Sequence, residues 1–121
     1  MRICIVIPVY NEQESIKPLI SQLNELKSNL YEKVLEVIFV NDGSIDRTKD
    51  LIDQEIIKNS YINIINLSKN FGQTAAISAG INSADCDILI TMDADLQNDP
   101  SDIPKLLKKL EEGYDVVSGW R

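Results

Sequence analysis

One pattern constrains the fold more than any other: apolar β-type runs alternate with helical spacing along the whole chain. "ICIVIPV" (3–9) is apolar throughout and largely β-branched, which reads as a strand buried on both faces. Ile16, Leu19, Ile20, Leu23 and Leu26 then recur at helical spacing. Pro18 suits that helix only in its first turn, which sets the start near Glu14. "LEVIFV" (35–40) is a second strand. In "NDGSIDRT" after it, Ser44 or Asp46 can cap a helix carrying Leu51, Ile52 and Ile56. "INIINL" (62–67) is a third strand, "SKNFG" (68–72) its loop, and "QTAAISAGINSA" (73–84) a helix of small residues able to lie close on a sheet. "DILITM" (87–92) is the fourth strand. Asp99 is placed to cap the next helix, with Pro100 at its first position, Ile103, Leu106, Leu107 and Leu110 on its inner face, and Gly113 at its stop. "DVVSG" (115–119) opens a fifth strand.

Such alternation predicts an α/β fold, a parallel, doubly wound sheet with helices on both faces. Each polar cluster then falls directly after a strand: Tyr10-Asn11-Glu12, Asn41-Asp42-Gly43-Ser44, Lys69-Asn70, Asp93-Ala94-Asp95-Leu96-Gln97 and Arg121. In an open parallel sheet the carboxyl ends of the strands share one edge, and ligands bind there. The five clusters are therefore expected to converge on one site.

Size and composition fit this reading. The 121 residues are enough for one domain with a real core. At 44% hydrophobic and 26% charged, the chain has the make-up of an ordinary globular protein. With 19 acidic against 12 basic residues, no nucleic-acid partner is expected. The absence of His removes imidazole bases and the commonest zinc ligand. Cys4 and Cys86 are distant in sequence and form no metal or redox motif, which points to a reducing compartment. No apolar run reaches the roughly 20 residues that span a bilayer. The apolar part of "MRICIVIPVYNE" is too short for a signal peptide, and no repeat, linker or low-complexity segment interrupts the chain.

In "LITMDADLQNDP" (89–100) an apolar run stops at three acids and a Gln, in a chain already carrying net charge −7. Mutual repulsion there costs free energy unless something positive sits among them. The chain also has no GxGxxG and no GxxxxGK[ST] to cradle phosphate on glycine amides. A hard divalent cation held by carboxylate oxygens and by substrate phosphates answers both observations. Asp93 and Asp95 supply two such oxygens, and Gln97 a neutral one. The plainer reading is that these are only helix-entry residues of a turn. The other clusters carry the same pair of readings. Asp42 can accept from a base or ribose, yet Asp-Gly is also a common turn. Tyr10 and Glu12 can line a base pocket or simply open a helix. Lys69 and Arg121 can face phosphate or solvent. Trp120 reads as packing, and Cys4 and Met92 as core.

Taken together, "VIPVYNE", "VIFVNDGSIDRT", "LSKNFGQTAAISAGI", "ITMDADLQNDP" and "GYDVVSGWR", in this order, closely resemble the family 2 glycosyltransferases. Within them they resemble the polyprenyl-phosphate sugar transferases, the dolichol-phosphate mannosyltransferase and bactoprenol glucosyltransferase group. The resemblance covers nearly the whole chain. It implies a Rossmann-like GT-A fold, with residues 1–121 as the N-terminal, donor-binding part of one such domain. It implies transfer of a hexose from a UDP- or GDP-linked sugar to a polyprenyl phosphate, with Mg2+ or Mn2+ as cofactor. Carried over residue by residue, Pro8, Tyr10 and Glu12 would line the nucleotide pocket and Asp42 would hold the base or ribose edge; Lys69, read from its own chemistry, joins them as a candidate nucleotide-binding phosphate cation. Asp93 and Asp95 would be the family's D-x-D, with Asp95 the main metal ligand and catalytic residue and Gln97 assisting. Arg121, in the family's "VVxGxR" position, would face the diphosphate as the second catalytic residue. Asn98-Asp99 stands where the family has Asp-Pro, a departure expected to matter little because Pro100 is kept.

Family members continue past this Arg with acceptor-binding and often membrane-anchoring elements. The chain is thus expected to be an inactive fragment of a longer enzyme at the cytoplasmic face of a membrane, and its exposed fifth-strand edge favours a homo-oligomer. The lack of His fits a phosphate acceptor. A sugar hydroxyl normally needs a general base, whereas a phosphate monoester with a second pKa near ~6 is already largely a dianion at neutral pH. In-line displacement predicts inversion at the anomeric carbon.

Three rivals are weighed. A non-enzymatic phosphoacceptor receiver domain needs an acidic pair after its first strand and a Lys after its last, where this chain has Pro-Val-Tyr-Asn-Glu and Gly-Trp-Arg. A nucleotidyltransferase usually carries a glycine-rich, Arg-containing loop after the first strand, and none follows Val9. A family 2 enzyme using a sugar hydroxyl as acceptor stays open, because its general base would lie beyond residue 121; "LSKNFG" and "DADLQ" favour the lipid-phosphate group.

Overall fold

The computed structural model describes residues 2–30, 33–95 and 100–111. Strands β1 (Arg2–Val9), β2 (Val34–Asn41), β3 (Ile62–Asn66) and β4 (Ile88–Thr91) form one sheet in the order β3-β2-β1-β4. Every pair is parallel, with Ile3 beside Leu35 on one flank and beside Ile88 on the other. Helix α1 (Gln13–Asn29) joins β1 to β2, α2 (Thr48–Lys58) joins β2 to β3, and α3 (Gln73–Ser83) joins β3 to β4. A 3-10 turn (Pro100–Asp102) leads into α4 (Ile103–Glu111).

The alternation of β1 explains why its run has no polar gap. Ile3, Ile5, Ile7 and Val9 face a core built with Leu19 and Leu23 of α1, Ile52 of α2 and Ile103 and Leu107 of α4. Val6 points the other way, to a smaller core with Ile38, Val40 and Ala76 of α3. Both faces are covered, so each β1 isoleucine is fully buried, worth about 1.5–3 kcal/mol per side chain relative to exposure. The second face is thin because α3 lies close on β1 and β2. A Cβ on Gly80 would stand 2.3 Å from Val6 Cγ1 and 3.1 Å from Val40 Cγ2, so the approach depends on a residue without a side chain. The small-residue helix does what its composition predicts.

The connections set where a ligand can sit. From β1 the chain steps outward to β2 and β3. It then crosses back on the opposite face through α3 to place β4 on β1's free flank. The order reverses between β1 and β4, and the crevice at the carboxyl ends of such a pair is the usual ligand position in open α/β sheets.

Two local expectations change, and one open alternative is decided. α1 begins at Gln13, and Ser15 N–H closes its first turn on the Glu12 carbonyl at 2.9 Å. Pro18 therefore lies in the second turn rather than the first. It is exposed, so the Glu14 carbonyl deprived of its helical N–H partner faces water. At α2 Asp46, not Ser44, satisfies a helix-start donor: its Oδ1 accepts the Thr48 N–H at 2.9 Å, while Ser44 Oγ accepts the Asn11 N–H at 2.9 Å. Pro100 opens the 3-10 turn instead of the α-helix itself. The cap assigned to Asp99, the stop at Gly113 and the fifth strand (115–119) lie outside the described residues.

Candidate functional site

The walls of the site are three loops laced to one another. After β1, Asn11 adopts φ 52°, a left-handed conformation that Asn tolerates better than most side chains. It is pinned by its N–H to Ser44 Oγ and by its Oδ1, which accepts the Ile45 N–H at 2.9 Å. Glu12 N–H donates to the buried Thr48 Oγ1 at 2.8 Å. The β1–α1 loop is thereby locked on the β2–α2 loop, which fixes where Tyr10 and Glu12 stand.

The β2–α2 loop is locked in turn on the β3–α3 loop. Asp42 is only 4% exposed. Its Oδ1 accepts the Phe71 N–H at 2.8 Å and its Oδ2 the Gly72 N–H at 3.0 Å. Gly43 has φ +76°, and a Cβ there would meet Asn70 N at 2.6 Å. The two backbones touch, and only glycine lets them.

From the third loop Gln73 reaches the segment after β4: its Nε2 donates to Asp93 Oδ1 at 2.9 Å. Between these loops opens a cavity of about 360 Å³, lined by Pro8, Val9, Tyr10, Glu12, Asp42, Asn70, Gly72, Gln73, Asp93, Ala94 and Asp95. It lies at the switch point between β1 and β4.

Six of the residues selected from sequence thus share one cavity: Pro8, Tyr10, Glu12, Asp42, Asp93 and Asp95. Lys69 is not among its lining residues; its Nζ lies over the Phe71 ring, 5.3 Å from the centroid. Gln97 and Arg121 lie outside the described residues. In sequence Gln73 reads simply as the first residue of a helix. The available signal was its place immediately after a loop glycine at the binding edge.

The described lining is acidic: Glu12, Asp42, Asp93 and Asp95 border the cavity, and among the described residues no Lys or Arg does. The Glu12 carboxyl is pushed above its ordinary pKa, chiefly by burial and then by Asp95, Asp46 and Asp93. Among the described residues no group of three or more His, Cys, Asp or Glu side chains is placed to hold a metal ion by itself. Two exposed carboxylates, Asp93 and Asp95, offer hard oxygens to the cavity. This donor set fits Mg2+ or Mn2+ arriving with phosphate oxygens.

Comparison with known proteins agrees with the geometry. The chain is 44% identical over 117 residues to the undecaprenyl-phosphate 4-deoxy-4-formamido-L-arabinose transferase of Proteus mirabilis (strain HI4320), covering 96% of this chain and 36% of the relative. The enzyme of the same name from Yersinia enterocolitica shows the same identity and coverage. The chain thus spans about a third of the length of these curated relatives. In structure it is similar to S. aureus TarS 1-349 in complex with UDP-GlcNAc, with a TM-score of 0.75 at 18% identity over 98% of this chain and 37% of that one. It is also similar to the mannosyltransferase PcManGT from Pyrobaculum calidifontis in complex with GDP-Man and Mn2+ (TM-score 0.70, 22% identity, 78% of this chain and 27% of that one). These likenesses show the GT-A type of fold. The Glycosyl transferase family 2 profile matches residues 4–121, and the chain belongs to that family.

Proposed function

We propose that this chain is the donor-binding part of a GT-A domain that transfers a sugar from a nucleoside diphosphate to a polyprenyl phosphate. The observation that carries the reading is the meeting of Pro8 from the end of β1 with Tyr10, Glu12, Asp42, Asp93 and Asp95 from three separate segments after strands, in one cavity at the sheet's switch point. The polyprenyl-phosphate acceptor is supported by the two relatives at 44% identity, both undecaprenyl-phosphate sugar transferases.

In this reading Pro8 and Tyr10 form the apolar wall against the nucleotide. Asp42 keeps two of a carboxylate's roughly four acceptor positions after its two backbone bonds, and these take donors of the base or ribose. Asp93 and Asp95 hold a divalent cation, with Gln97 assisting, and Arg121 faces the diphosphate. A Mg2+ or Mn2+ ion, when bound, stabilises charge on the departing nucleoside diphosphate. A dianionic acceptor phosphate attacks the anomeric carbon without a protein base, and a single in-line displacement inverts that carbon. No helix among the described residues is long and apolar enough to cross a membrane, so contact with the cytoplasmic face comes in this reading from other parts of a longer protein.

Calorimetry of UDP and GDP with Mn2+, repeated in chelator, tests the proposal. One nucleotide is expected to bind with the metal and to lose most of its affinity without it. Equal affinity in both conditions removes the cation from the reading, and no binding of either nucleotide removes the donor site.

A further inference from the structure

We propose that Gln73 is a positioning residue that sets the Asp93 carboxylate for the metal–nucleotide complex, an inference that rests on the donor reading above. Gln73 opens α3, lines the cavity and donates from Nε2 to Asp93 Oδ1 at 2.9 Å. The terminal torsion of an aspartate is a broad, soft rotor, so a carboxylate at an exposed segment after a strand is poorly fixed by its own backbone. The Gln73 amide donor on Oδ1 restricts the plane of that carboxylate. The neutrality of the donor matters: a Lys or Arg there would orient the carboxylate equally well but cancel the charge that draws the cation in. Partners behind a metal ligand typically act in this way.

Gln73 is itself held from the core. The N–H groups of Phe71 and Gly72, just before it, are both bound by the buried Asp42. A chain of contacts therefore runs from the end of β2 through the β3–α3 loop to the acidic segment after β4. Its last link is the side chain of Gln73.

Calorimetric titration of UDP and GDP in Mn2+ tests the assignment. The variants are Gln73→Met, which keeps length and helix propensity, Gln73→Glu, Asp93→Asn and the double variant Gln73→Met/Asp93→Asn. Thermal melting of each reports the fold. Gln73→Met is expected to lose about tenfold in metal-dependent affinity, the scale of one hydrogen bond to a charged group, with its melting curve near that of the parent. Gln73→Glu loses more, because it sets a second carboxylate against Asp93. In the Asp93→Asn background, read at raised nucleotide concentration, Gln73→Met is expected to cost at most twofold, since its effect passes through that carboxylate. Parental affinity in Gln73→Met, or the same tenfold loss in both backgrounds, overturns the assignment. If the parent chain binds neither nucleotide with Mn2+, the donor reading itself falls and the assignment with it.

Discussion

Asp42 and the pair Asp93 and Asp95 lie at the same edge of the same sheet and border the same cavity, yet their surroundings differ. Asp42 is 4% exposed and accepts two backbone N–H groups. Asp93 and Asp95 are exposed, and their charge raises the pKa of Glu12 across the cavity. The first carboxylate holds two loops together with part of its acceptor capacity and borders the cavity with the rest. The other two put negative charge where a ligand can reach it. Sharing an edge and a residue type does not make aspartates equivalent: burial against two backbone N–H groups sets Asp42 apart from two carboxylates exposed to solvent.

The largest effect expected from this contrast is at the frame. Asp42→Ala leaves the Phe71 and Gly72 N–H groups without their acceptor, and two lost bonds to a charged group cost about 3 kcal/mol or more of stability. Urea unfolding should show it as a fall in midpoint. A loss below roughly 1 kcal/mol would mean that the loop finds other acceptors and that Asp42 is not its anchor. Gly43→Ala belongs to the same frame. Its φ of +76° and the 2.6 Å approach to Asn70 N make it costly by roughly 2 kcal/mol, from the left-handed penalty and the forced shift together. A parental midpoint in this variant would show that the two loops separate easily.

At the exposed pair the expected outcome is reversed. Asp95→Asn removes one charge with almost no change of shape, so metal-dependent nucleotide binding should fall about thirtyfold, roughly 2 kcal/mol, while the urea midpoint stays put. Loss of both binding and stability would place Asp95 with the frame and dissolve the comparison.

Most of the frame was legible because it follows from periodicity. A fully apolar β1 requires cover on two faces, and Ala76, Ala79 and Gly80 in α3 announce which cover lies close. The strand-end clusters were legible as a site because parallel topology alone brings them to one edge. What the sequence did not carry were contacts between residues distant along the chain. Gln73 meets Asp93 across 20 positions, and no local pattern marks that pairing. Likewise Cys4, chosen as core, has its thiol pushed up to about 12 by burial and then by the neighbouring Cys86 thiol, although nothing in their spacing places the two together. The second turn of α1 escaped for a different reason: a helical proline is tolerated when the carbonyl it orphans faces solvent, and exposure is a tertiary property.

The smallest effect expected is also the one whose sign is most informative. The folded-state pKa of Glu12 is raised by burial, Asp95, Asp46 and Asp93, so the folded chain holds this proton more tightly than the unfolded chain does. By linkage the unfolded state binds fewer protons between the two pKa values, and stability falls as pH rises through that window. Above it, ionised Glu12 is a standing cost. Glu12→Gln is therefore expected to raise the melting temperature slightly at neutral pH and to leave it unchanged at a pH well below the ordinary carboxylate range. The same variant should weaken Mn2+-dependent nucleotide binding, because it removes part of the negative field that attracts the cation. Melting curves at the two pH values and one calorimetric titration decide it. A variant that is less stable at neutral pH would mean that the Glu12 carboxylate is held by favourable partners rather than crowded by acids, and the cavity would then no longer count as one where negative charge is concentrated at a cost.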